Sequence, residues 1–293
     1  MIKKGLIGGA VLLLIFLIYL STMDRKVYYL VLGDSLATSE GADGLKVRGY
    51  TDIVAENLEK RDVLEEYIKG FAEDGMKVPD LIDDVEDNRE IVVNGKTIRI
   101  KNALVKADLV TLSIGANDIL EKLDSEYISD NDVYNYIDEM TDDLEELLKL
   151  IREYSKEDII MVGYYNPFKD IDVQKFIDYL NKRYKEVSNV YDIIYVEIDD
   201  VFEKHPEYLP NENNIHPSSE GYEAIAELVM KKVNKNLFET WFLDKCLLQY
   251  VCYLISMAIF SHGGRREDVW KKVFIQNIWK LKLLVVLVVI LLL

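Results

Sequence analysis

Val27-Tyr28-Tyr29-Leu30-Val31-Leu32-Gly33-Asp34-Ser35 decides how the rest of this chain is read. Six apolar residues closed by a glycine read as a buried strand, with Ser35 at the turn that follows it. Working outward, Asp108 to Ile114 forms a second such run, closed by Gly115 and leading to Asn117. His216 lies about 180 residues after Ser35, just ahead of a helix-like stretch. A nucleophile, a polar side-chain donor and a base would thus stand together at the carboxyl edge of one sheet. Open α/β folds place their sites there.

Between these points, strand-like and helix-like stretches alternate, which predicts a parallel sheet with helices on both faces. Strands are expected at 27–32, around Tyr67–Phe71, and at 109–114, 159–164 and 193–198. Helices are expected at 51–59, 79–86, 132–154, 173–187 and 218–236. The fold class is therefore α/β: a flavodoxin-like three-layer sandwich around a central parallel sheet of about five strands. Asn94-Gly95, set between alternating residues, predicts a two-residue hairpin beside that sheet.

Four segments together resemble the GDSL, or SGNH, hydrolase family. Leu32-Gly33-Asp34-Ser35-Leu36 is similar to its first block and Phe71-Ala72-Glu73-Asp74-Gly75 to its second. Ile114-Gly115-Ala116-Asn117-Asp118 is similar to the third. Asn213-Asn214-Ile215-His216-Pro217, followed by Gly221-Tyr222, is similar to the fifth. The resemblance runs from about residue 27 to 236. It implies a serine esterase or acylhydrolase in which Ser35 attacks an acyl ester. A serine hydroxyl needs a positioned base, here His216. His205 sits in a polar loop and reads as solvated, and His262 falls in the tail. The developing oxyanion would be met by the Ser35 N–H, the Gly75 N–H and the Asn117 side-chain amide. Asp34 and Asp118 read as acceptors that shape the site. No His, Asp or Glu cluster has ligand spacing, so neither metal nor cofactor is expected.

The chain departs from the family pattern at one point. Three residues before the histidine, where the pattern has aspartate, stands Asn213. An amide oxygen can hold the imidazole tautomer but cannot offset the charge of the imidazolium. Asn213 is accordingly read as the support of a Ser–His pair, with Glu212, Asp199 or Asp200 as alternatives. The same departure keeps two other functions in play: a non-catalytic module binding acylated glycan or lipid, and an acyltransferase using the same residues.

Charge divides the chain into three. Residues 27–236 carry −23, whereas 1–26 and 237–293 each carry +3. An acidic middle repels nucleic acid, so no such partner is expected. In residues 1–26, Lys3-Lys4 followed by the apolar run from Gly5 to Leu20 reads as a membrane anchor or a cleaved signal segment. The poor cleavage pattern after it favours an uncleaved anchor, barely long enough for a hydrocarbon core of roughly 30 Å. Positive-inside orientation would then put the hydrolase domain outside the cytoplasm. Residues 237–293 form a hydrophobic and basic appendage that holds both cysteines, Cys246 and Cys252, so the central domain needs no disulfide. The expected partners are an acyl-ester substrate, on a small molecule, lipid or glycan, and a membrane.

Overall fold

A computed structural model describes residues 26–124, 129–168 and 173–234, which belong to one compact unit, Arg25–Leu237. The expected anchor and C-terminal appendage lie outside the described residues. Among those described, no helix is long and apolar enough to cross a membrane.

Five parallel strands form the sheet in the order β2-β1-β5-β6-β7, with β1 at Val27–Gly33, β2 at Leu64–Ile68, β5 at Leu109–Ser113, β6 at Asp158–Val162 and β7 at Ile194–Val196. This is the expected architecture, with β1 and β5 as neighbours. β2 starts three residues earlier than the sequence predicts. It pairs on one side only and is half-buried, so Glu65 and Glu66 fit where an internal strand would exclude them.

β1 is buried along its whole length because its side chains serve two layers in alternation. Tyr28, Leu30 and Leu32 pack with α3 (Val78–Glu86), α4 (Ile100–Lys106), α6 (Asp130–Tyr154) and α7 (Gln174–Val190). Val27, Tyr29 and Val31 pack with α2 (Tyr50–Lys60), with Phe202 of α8 (Asp199–Lys204) and with α9, described over 219–234. Each fully buried aliphatic side chain in these layers contributes about 1.5–3 kcal/mol, which makes the two apolar faces the main source of stability. The hairpin joins β3 (Glu90–Val93) to β4 (Lys96–Arg99), and positive φ at both Asn94 and Gly95 gives the turn the sequence predicts. Short helices α1 (Ser35–Thr38) and α5 (Ala116–Asp124), at the carboxyl ends of β1 and β5, carry the motif residues.

Two glycines fix the close approaches at this edge. Gly33, at φ +121°, would put a Cβ 1.9 Å from the Ser113 carbonyl oxygen, and Gly115, at φ +114°, would put one 1.7 Å from the Tyr184 hydroxyl. Gly33→Ala and Gly115→Ala should each cost about 3 kcal/mol or more, by overpacking added to left-handed strain. Gly95→Ala meets open space and should cost only the strain, about 1–2 kcal/mol. Urea denaturation of the three variants tests this, and equal small losses would contradict the packing described.

Candidate active site

Ser35 opens α1, directly after the strand, and is 9% exposed. Asp34 is the N-cap: its carboxylate accepts from the Leu36 N–H (3.1 Å), the Ser113 hydroxyl (3.1 Å) and the Tyr164 hydroxyl (2.6 Å). Burial pushes the Asp34 carboxyl up to about 6, although these three donors pull the other way. Asp34 thus ties the start of α1 to β5 and to the segment after β6. Asp118 has a similar part. Its carboxylate accepts from the Val78 N–H at the start of α3 (3.3–3.4 Å), and burial raises it to about 6.

His216 Nε2 lies 2.7 Å from Ser35 Oγ. On the other side of the ring, Nδ1 is 2.6 Å from Asn214 Oδ1, which also accepts the His216 backbone N–H at 2.9 Å. That second donor identifies Oδ1 as the oxygen of the amide. Nδ1 must therefore carry the proton, which leaves the Nε2 lone pair facing the serine hydroxyl.

Asn214, not Asn213, holds the ring. Asn213 is exposed, and its backbone N–H donates to Asn211 Oδ1 at 3.0 Å within the turn 211–214. That turn leaves Asn214, the next residue, beneath the imidazole. The carboxylates weighed as substitutes are also elsewhere: Asp199 accepts from Gln174, Asp200 pairs with Lys204, and Glu212 is exposed. A different carboxylate approaches the ring, with Glu40 Oε1 at 3.6 Å from Nδ1. Burial holds the His216 pKa below its ordinary 6.5, opposed by the negative charges of Glu40 and Asp74 and reinforced by Lys46. His205 pairs with Glu207 and stacks on Tyr208, away from this cluster.

The loop 73–76 lies against the same edge. The Glu73 N–H donates to the Gly33 carbonyl at 2.9 Å, and Asn117 Nδ2 donates to the Met76 carbonyl at 3.0 Å. Asn117 is inside the first turn of α5 and is not its cap, so its side chain is spent on this loop. One amide hydrogen remains beyond that bond. Gly75 has φ +79° with open space beside its Cα. Among the described residues, the Ser35 and Gly75 N–H groups have no hydrogen-bond acceptor.

Beside the Ser35–His216 pair opens a cavity. Its walls are mainly apolar, with Leu36, Ile119, Phe168, Phe176, Ile177 and Leu180 among them. Val173, Phe176, Ile177 and Leu180 recur at helical spacing, a pattern that marks an apolar face without telling a cavity wall from a packed core. Asn214 carried a local signal, an asparagine two residues before His216 in a turn. Glu40 carried none, because it meets His216 only through the tertiary fold.

Residues 31–224 match the GDSL-like lipase/acylhydrolase family. The spore germination lipase LipC of Bacillus licheniformis is 29% identical over 210 residues, spanning 68% of this chain and 92% of that protein. The crystal structure of the lipase Lip_vut3 from a goat rumen metagenome superposes with a TM-score of 0.58 at 25% identity, over 69% of this chain and 95% of the other. Axe2, an acetylxylan esterase from Geobacillus stearothermophilus, shares the fold at a TM-score of 0.54 and 19% identity, over 72% of this chain and 96% of its own.

Nitrogen-15 NMR of the imidazole tests the ring contacts. His216 should titrate below 6.5 and, when neutral, should carry its proton on Nδ1. Asn214→Ala should erode that tautomer preference, while Asn213→Ala should leave it as it was. The reverse pattern would contradict the assignment of Asn214.

Proposed function

The chain belongs to the GDSL-like lipase/acylhydrolase family and is a carboxylic-ester hydrolase; on that premise we propose that Ser35 is its nucleophile and His216 its general base. The observation that carries this reading is the 2.7 Å contact between Nε2 and Oγ, backed by the Asn214 contact that leaves Nε2 unprotonated. In the first step Oγ bonds to the ester carbonyl carbon while its proton passes to Nε2. The carbonyl π pair moves onto oxygen. The Ser35 and Gly75 N–H groups and the free hydrogen of Asn117 Nδ2 support that oxyanion, each worth about 3 kcal/mol in related sites. The tetrahedral intermediate then expels the alcohol, which takes the proton from Nε2. Water, deprotonated by the same nitrogen, attacks the acyl-serine; the acyl carbon–Oγ bond breaks, Oγ regains the proton from Nε2, and the carboxylic acid is released.

The acyl group occupies the apolar cavity beside Ser35, and an acyl lipid suits that lining better than an acetylated glycan does. The N-terminal Lys3-Lys4 and the apolar run after it support a membrane-anchored enzyme with the hydrolase unit outside the cytoplasm. Protease accessibility in intact cells tests that topology.

Ser35→Ala and His216→Ala should each lower kcat by at least about 10³-fold with little change in KM. Because the base must be neutral and its pKa is held down, the acid limb of kcat/KM should fall below pH 6.5. Across p-nitrophenyl esters, octanoate should exceed acetate in kcat/KM by at least about 100-fold, since each buried methylene is worth up to ~0.8 kcal/mol. A preference for acetate would contradict the acyl-lipid reading and favour an acetylated substrate.

A further inference from the structure

We infer that Glu40 is a positioning residue that supplies the carboxylate charge opposite the His216 imidazolium. Asn214 fixes the tautomer, so two residues from distant parts of the chain share what one aspartate would do. This rests on the Ser35–His216 pair acting as proposed above.

The geometry has three parts. First, Glu40 Oε1 stands 3.6 Å from Nδ1, the nitrogen already bonded to Asn214, with the two side chains 23% and 13% exposed. Second, the backbone of Glu40 is pinned on both sides. Its N–H donates to the Ser35 carbonyl at 3.0 Å, and its carbonyl accepts from the Tyr222 hydroxyl at 2.6 Å. Tyr222 is fully buried in α9, the helix that follows His216. Glu40 is thereby tied to the residue of the nucleophile and to the helix behind the base. The turn that leads to it is set by Ser39, at φ +74°, whose hydroxyl is held by Asp52 and Lys69.

Third, the neighbouring charges leave this role to Glu40. The charged groups acting on the ring are Glu40, Asp74 and Lys46. Asp74 is bound by Lys46 Nζ and by the Thr38 hydroxyl, so the lysine offsets its charge. Among the described residues, Glu40 is ion-paired with no cation other than His216. An amide at Asn214 contributes no charge, whereas a carboxylate within ~4–6 Å favours the protonated ring. During acyl transfer the serine proton stays on Nε2 and Glu40 takes none. Its charge stabilises the imidazolium formed while the Oγ–carbon bond is made.

The test compares pH profiles of kcat/KM for the full chain as wild type, Glu40→Gln, and Glu40→Gln with Asn214→Asp, beside thermal melting of each. Glu40→Gln keeps the side-chain shape and both backbone bonds, so melting should be unchanged. Its kcat should fall about 10- to 100-fold, and its acid limb should move down by about one pH unit as the ring loses its counter-charge. Adding Asn214→Asp restores a carboxylate at the ring and should recover at least ~10-fold of the loss, with the acid limb moving back up. An unchanged rate and profile in Glu40→Gln would overturn the inference. So would a loss of rate with the acid limb fixed and no recovery in the double variant. If Ser35→Ala retains wild-type hydrolysis, the Ser35–His216 reading itself has failed, and the role of Glu40 falls with it.

Discussion

The pairing of β1 with β5 is the constraint on which the site depends. Gly33 lies opposite Ser113 so closely that no side chain fits between them, and the Asp34 N–H donates to the Ser113 carbonyl at 2.9 Å. This register ends both strands at the same level. Ser35 then emerges from one strand end and Asn117 from the other, each in the first turn of a short helix. Gly115 continues the approach on the β5 side, where Tyr184 fills the space a side chain would need and donates to the Ile114 carbonyl. The loop 73–76 is held to this edge by Gly33 and by Asn117, so Gly75 is delivered by the same pairing.

Ser35 and His216 come from opposite ends of the hydrolase unit in sequence, and a polar frame holds them in register. Asp34, buried beneath Ser35, connects α1 to Ser113 and to Tyr164. Tyr165, the next residue, donates to the Ile215 carbonyl at 2.7 Å, immediately before His216. Tyr222 returns from α9 to the Glu40 carbonyl, and Asn211 donates to the Ala42 carbonyl. The segments around residues 35–42 and 211–222 are thus joined by bonds at several points. A buried frame of satisfied polar groups specifies one arrangement, since each group left unpaired costs about 1–3 kcal/mol.

The fold was legible because β1 is a continuous apolar run and β5 a largely apolar one broken only by Thr111 and Ser113, each leading to a glycine, a pattern set by burial on both faces. Edge strand β2 was displaced in the reading because its glutamates break that pattern. Ser35 and His216 could be placed from local motifs, since each follows or precedes an element with a clear signal. Asn213 was the wrong member of its segment, because spacing alone cannot tell which residue of a turn faces the ring. Glu40 and the cavity wall depend on how separate elements pack, and no local pattern encodes that.

One measurement bears most directly on the account: covalent labelling of the wild-type protein with a fluorophosphonate, followed by mass spectrometry of the modified peptide. A serine activated by a neutral imidazole at 2.7 Å should be labelled at Ser35, and labelling should vanish in Ser35→Ala and drop steeply in His216→Ala. Labelling at another serine, or at an equal rate in His216→Ala, would contradict the claim that these two side chains form the reacting pair.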